Sequence, residues 1–215
     1  MTGTERLLVA ISLAFGLLYL LLWNGTLPPV TLIALKGAGV GFLALAAALS
    51  ARSTDGWLLA GLLALGATGD VLIELSLGAG AAAFAAAHLV SIALYLRNRR
   101  RDSGPLDKAG AALLLAAAAI LPALLLWGRP EAVAFVAYAL LLGAMAASAW
   151  LSRFPRLLVA AGACLFLASD MLIAARLALD SRAEAFGHAI WLLYYFGQLL
   201  IFLGVGRSLR ASARP

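Results

Sequence analysis

Eight stretches of about 20 mostly apolar residues follow one another along this chain, with only short connections between them. They run roughly over 6–24, 30–50, 57–77, 81–97, 108–127, 132–151, 157–178 and 187–206. About 20 apolar residues in helical form are what it takes to cross the hydrocarbon of a bilayer. The connections leave no room for a water-soluble domain. The expected architecture is therefore all-α: a polytopic membrane protein of about eight transmembrane helices, one transmembrane domain over residues 1–215. Composition agrees, since 12% of the residues are charged where a soluble domain carries about 25%. The first stretch lacks the features of a signal peptide: only Arg6 precedes it, and it ends at Trp23-Asn24-Gly25 without a small-residue cleavage site. The single cysteine, Cys164, falls in the middle of the seventh stretch, so an intrachain disulfide is excluded and a packing role is the plain reading.

A net charge of +6 could point to nucleic acid, but the placement of the charges argues against it. With eight spans both termini share a side. Twelve basic residues collect there, and Arg129, Arg176 and Arg182 are the three opposite. That imbalance predicts cytoplasmic termini. The basic run Arg97–Arg101 then acts as a topology signal that also suits anionic lipid headgroups, and no nucleic-acid partner is expected. Fourteen arginines against two lysines, in a chain rich in Ala, Gly and Leu, suggest a GC-rich bacterial genome and hence a bacterial inner membrane.

Compared with itself at an offset of 100, the chain aligns Asp70 with Asp170 and His88 with His188 without a gap. These are its only two histidines. Two rare residue types matching together suggest two parallel four-helix repeats, residues 1–105 and 106–215, since an even number of spans per copy keeps both copies in the same orientation.

Ionisable side chains at membrane depth are costly unless paired or hydrated, so they are the natural candidates for function. At 1.5 Å per residue, Lys36 should lie roughly 9 Å from the outer end of the second helix, with Asp70 about as deep in the third and His88 roughly 10 Å into the fourth. Glu74 follows Asp70 by one turn, Asp170 sits at similar depth in the seventh helix, and His188 opens the eighth, above Tyr194, Tyr195 and Gln198. The inner halves contain no residue that must be charged. The expected picture is a polar pocket opening toward the outer leaflet. Each member also has a plainer reading. Lys36 could snorkel to the interface, Glu74 could simply be solvated, His188 could be interfacial, and the tyrosines could belong to an aromatic belt. Asp70 and Asp170 are the hardest to explain in that way.

Asp70 and Glu74, four apart, share a helical face. A pair of nearby carboxyls can supply a proton and hold a water, which is what general acid–base hydrolysis requires. No serine stands in a Gly-flanked elbow and no Gly-rich phosphate loop occurs. Two histidines exclude a three-His zinc site, and nothing in the spacing demands a metal. The reading thus includes neither a metal nor another cofactor. A proton-coupled transporter or a lipid-handling membrane protein would use the same buried Asp, Lys and His residues. A carrier must also open its site to the inner face, where Pro122 and Pro155 are the nearest interruptions of otherwise apolar segments.

Several of these residues stand in a recognisable order: Leu35-Lys36-Gly37, Gly69-Asp70, Phe84 to His88, Phe166 to Asp170, and Tyr194-Tyr195-Phe196-Gly197-Gln198. In that order and spacing, from about Leu32 to Gly204, the chain resembles the YhhN family, eight-span membrane proteins that include the lysoplasmalogenases of bacteria and animals. The resemblance implies hydrolysis of the vinyl ether bond of a lysoplasmalogen, releasing a fatty aldehyde and a glycerophospho-head group. Under it, Asp70 and Asp170 become the acid/base pair, and Lys36 and His88 tune them or bind phosphate. Tyr195 and Gln198 orient water or glycerol hydroxyls, with Glu74, Tyr194 and His188 in support. The partner it implies is a lysophospholipid or ether lipid entering from the membrane.

Overall fold

The computed structural model describes residues 1–25, 27–179 and 184–212, without the side chains of Glu184 and Ala185. Arg182 and Arg214, both counted in the charge comparison above, lie outside the described residues. Eight long helices form among them: α1 (Gly3–Leu22), α2 (Pro29–Ser50), α3 (Thr54–Leu75), α4 (Leu77–Arg97), α5 (Pro105–Leu125), α6 (Ala132–Leu151), α7 (Ala161–Ala178) and α8 (Glu184–Ser212). A wide π-helical turn, Arg156–Ala160, leads into α7 after Pro155. All eight are long and apolar enough to cross a membrane. Their outward faces carry large apolar side chains in the open, among them Leu21, Val30, Leu89, Leu113 and Leu157. Monomeric soluble proteins rarely display apolar surface on that scale. This is an integral membrane protein.

Local chemistry sets the helix starts. Thr2 and Glu5 close a reciprocal capping box on α1, the Glu5 N–H donating to Thr2 Oγ1 at 3.2 Å and the Thr2 N–H to Glu5 Oε2 at 2.6 Å. Ser53 caps α3 by accepting from the Gly56 N–H. Pro29 and Pro105 occupy the first turns of α2 and α5, where a missing N–H costs nothing.

The spans expected at 57–77 and 81–97 are longer and closer than the sequence suggested. Only Ser76 separates α3 from α4. Gly78 and Gly80 look like a loop in the sequence, yet both are helical. A Cβ on Gly80 would sit 2.5 Å from the Cα of Ile73, so glycine is what lets α4 fold straight back along α3.

The chain divides into two compact units, Met1–Leu94 with Phe202–Pro215, and Tyr95–Ile201. In the first, α2 packs between α1 and α3. Ser12 Oγ donates to the Gly39 carbonyl across α1 and α2, and Phe15 stacks on Phe42. Gly37 opposes Val71 at the α2–α3 crossing, and Gly69 opposes the Phe84 ring between α3 and α4. The last turns of α8 join this unit through Arg210, whose Nη1 donates to the buried Glu5 at 3.1 Å. In the second unit α5 and α6 approach at Gly143 and Ala118. Helices α7 and α8 cross backbone to backbone, with Gly162 against the Gly197 carbonyl and Gly197 against that of Gly162. Small residues at each crossing are the usual means by which helices close on one another where lipid supplies no hydrophobic drive.

Candidate functional site

In the first unit the C-terminal end of α1, the start of α2 and the end of α3 meet around an ion pair. Lys36 Nζ donates to Glu74 Oε1 at 2.5 Å. The same ammonium stands 5.8 Å from the centroid of the Tyr19 ring, within the range of a cation–π contact. Tyr19 in turn packs on Trp23. Lys36 lies seven residues into α2 from Pro29, roughly 10 Å from the helix start. It is therefore held by a carboxylate and an aromatic face and has no need to snorkel. Glu74 keeps 40% of its side chain exposed, so it is both paired and accessible. Tyr19, Trp23, Pro29, Leu32, Ile33 and Glu74 line a pocket of about 200 Å³ at this end of the unit.

One turn below Glu74, Asp70 is 1% exposed, and His88 on α4 is equally buried. Because α4 begins at Leu77, His88 lies roughly 16 Å into its helix, deeper than the estimate from sequence. The register fixed by Gly80 against Ile73 and Gly69 against Phe84 puts Ala83 level with Asp70 and His88 more than a turn further along.

In the second unit Asp170 is the centre. Tyr138 on α6 donates its hydroxyl hydrogen bond to Asp170 Oδ2 at 2.9 Å. Asp170 is 5% exposed and Ser169 beside it is buried. Below it on α8 lies an aromatic group. Trp191 stacks on Tyr195 at 5.7 Å, and Tyr194 meets the Phe166 ring edge-on at 5.0 Å. Both tyrosines are buried, which separates them from any interfacial belt. Gln198 is buried too, and its Oε1 has no hydrogen-bond partner among the described residues. His188 is half-buried near the start of α8. Gly162 against Gly197 puts Ala189 level with Asp170, so His188 stands at nearly the height of its aspartate.

The offset of 100 thus aligns the two histidines in sequence but not in height relative to their aspartates. The registers differ: Asp70 is level with Ala83 across α3 and α4, whereas Asp170 is level with Ala189 across α7 and α8.

Tyr138 is not among the site residues expected from the sequence. The signal that could have found it is that a buried aspartate needs a donor, and tyrosine on a neighbouring helix is one of the few available. Nor is Tyr19 among the expected site residues. Among the described residues, no three His, Cys, Asp or Glu side chains gather as metal ligands.

No curated protein and no solved structure matches the chain. A family model does: that of the YhhN family, over residues 31–205. The match takes in Lys36, Glu74, both buried aspartates, both histidines and the aromatic group on α8. With eight membrane-length helices and that coverage, the chain belongs to the YhhN family.

Proposed function

We propose that this protein is a membrane-embedded lipid hydrolase that cleaves the vinyl ether bond of lysoplasmalogens, giving a fatty aldehyde and a glycerophospho-head group. The observation that carries the reading is the burial of Asp70 and Asp170, 1% and 5% exposed, within apolar helices of a YhhN-family chain. Carboxyl groups are kept in such surroundings at considerable cost, and function is the usual reason.

Vinyl ether hydrolysis begins with transfer of a proton to the alkene carbon, which leaves an oxocarbenium ion. Water adds to that ion and gives up a proton, and the resulting hemiacetal breaks into aldehyde and alcohol. The protein must supply a proton donor and a carboxylate that stabilises the cation and receives the proton of water. Asp70 and Asp170 are the residues proposed for these roles, each testable alone. The Tyr138 hydroxyl orients the carboxyl of Asp170. Lys36, drawn toward Glu74, is the proposed contact for the lipid phosphate, with His88 in support. The neighbouring pocket of about 200 Å³ is smaller than the roughly 300–1,000 Å³ of sites that enclose a whole ligand. It suits a head group whose chain stays among the helices. Tyr194, Tyr195, Gln198 and His188 are proposed to order water or glycerol hydroxyls. A bacterial inner membrane with both termini cytoplasmic is the location that the charge distribution supports.

The test is aldehyde release from a synthetic lysoplasmalogen by the purified protein, beside Asp70→Asn, Asp170→Asn and an EDTA-treated sample. Release that both variants abolish while remaining folded upholds the reading, and resistance to EDTA separates it from metal catalysis. If the wild type releases no aldehyde, the reaction is wrong and a carrier built on the same residues takes its place.

A further inference from the structure

Within the second unit, the link from α4 to α5, the start of α5, the end of α6 and the turn before α7 converge on Asp107. Arg156 Nη2 donates to Asp107 Oδ1, and Arg100 Nη1 lies 3.6 Å from Asp107 Oδ2. Arg100 Nη2 also donates to the Trp150 carbonyl at 2.8 Å. The Arg156 guanidinium stacks over the Trp150 ring, 4.9 Å from its centroid. The link itself is pinned, the Arg100 N–H donating to the Leu151 carbonyl and the Arg153 N–H to that of Asn98.

This ordered cluster has more donors than acceptors. Three of its buried polar atoms have no hydrogen-bond partner among the described residues: Arg100 Nε, Trp150 Nε1 and Arg156 Nε. Folded proteins leave few such groups unanswered, and several in one place call for an acceptor. Two guanidiniums against one carboxylate also leave a surplus positive charge. The acceptor that answers both conditions is an oxyanion with several oxygens, and planar guanidinium groups match phosphate geometry well. An anion would approach through the exposed parts of the two guanidinium side chains, 29% of Arg100 and 35% of Arg156, beneath which the unanswered nitrogens lie buried. The cluster stands where the helices end, at the depth at which lipid phosphates lie and basic pockets take up anionic head groups.

We propose that Arg100, Trp150 and Arg156 form a phosphate-binding site at this end of the second unit, separate from the buried carboxylates. The phosphate comes either from the head group of an anionic phospholipid or from free phosphate in solution.

The experiment is thermal unfolding of the purified full chain in detergent, with added phosphatidylglycerol, phosphatidylcholine or inorganic phosphate. Phosphatidylglycerol is expected to raise the midpoint by a few degrees and phosphatidylcholine to leave it in place, as binding to the folded state alone requires. Trp150→Phe keeps the ring under Arg156 and removes only the N–H. It and Arg156→Lys should each lose most of the shift, while Arg207→Gln, outside the cluster, should keep it. A comparable rise with inorganic phosphate identifies free phosphate as the source, and a rise with the lipid alone identifies the head group. No rise with either phosphate source overturns the proposal. So does a rise that Trp150→Phe and Arg156→Lys leave intact, or that Arg207→Gln loses equally.

Discussion

Tyr138 and Asp170 are joined across α6 and α7 by a hydrogen bond of 2.9 Å from the phenol to the carboxyl group. The two variants of this pair should separate folding from chemistry. Tyr138→Phe removes a hydrogen bond worth about 0.5–1.5 kcal/mol. A loss of that size at the transition state slows the reaction about two- to tenfold, and the thermal midpoint should fall too. Asp170→Asn retains an acceptor for the phenol but can act as neither acid nor base. It should keep the midpoint within a few degrees of wild type while aldehyde release is lost. A large fall in midpoint for Asp170→Asn would show that the carboxyl is structural.

Lys36 and Glu74 should behave as a coupled pair. Glu74→Gln leaves an ammonium facing an amide at membrane depth, and Lys36→Met leaves the carboxylate without its partner. Removing both leaves neither charge behind. The double variant should be more stable than the sum of the single changes predicts, by about 0.5–3 kcal/mol. Thermal unfolding of all three proteins in one detergent measures this, and strict additivity would dismiss the coupling.

The Gly162–Gly197 crossing admits no side chain on either helix. A Cβ on Gly162 would lie 2.6 Å from the Gly197 carbonyl oxygen, and one on Gly197 would lie 2.8 Å from that of Gly162. Both obstacles are backbone, so the helices themselves must part. Gly162→Val and Gly197→Val should each sharply reduce the yield of monodisperse protein in detergent. Gly78→Ala, with open space around the new methyl group, should match wild type. Normal yield for either valine variant would refute the close crossing.

Orientation can be read by labelling. In a Cys164→Ser background, Asp102→Cys should react with a membrane-impermeant maleimide only after the inner face is exposed, and Glu131→Cys should react in intact cells. The reverse pattern would invert the topology that the arginines predict.

How much of this was legible in the sequence differs from residue to residue. The eight spans were, because helix length and apolar content are set by the bilayer. The start of α4 was not: Gly78 and Gly80 carry the composition of a loop, and only the approach of Ile73 shows why glycine stands there. Buried Asp70 and Asp170 stood out as costly charges. Their surroundings did not, since period and depth place a residue on a helix without saying which neighbour it faces. That is why the pairings of Lys36 with Glu74 and of Tyr138 with Asp170 emerge only in the fold.

The single-residue joint at Ser76 has a mechanical consequence. With Ile73 pressed against Gly80 immediately beyond it, α3 and α4 have no slack with which to slide or splay at that end. They must tilt as one stiff hairpin, so Asp70 and His88 keep their spacing through any breathing of the bundle. Any opening of this unit has to be hinged somewhere other than at this joint.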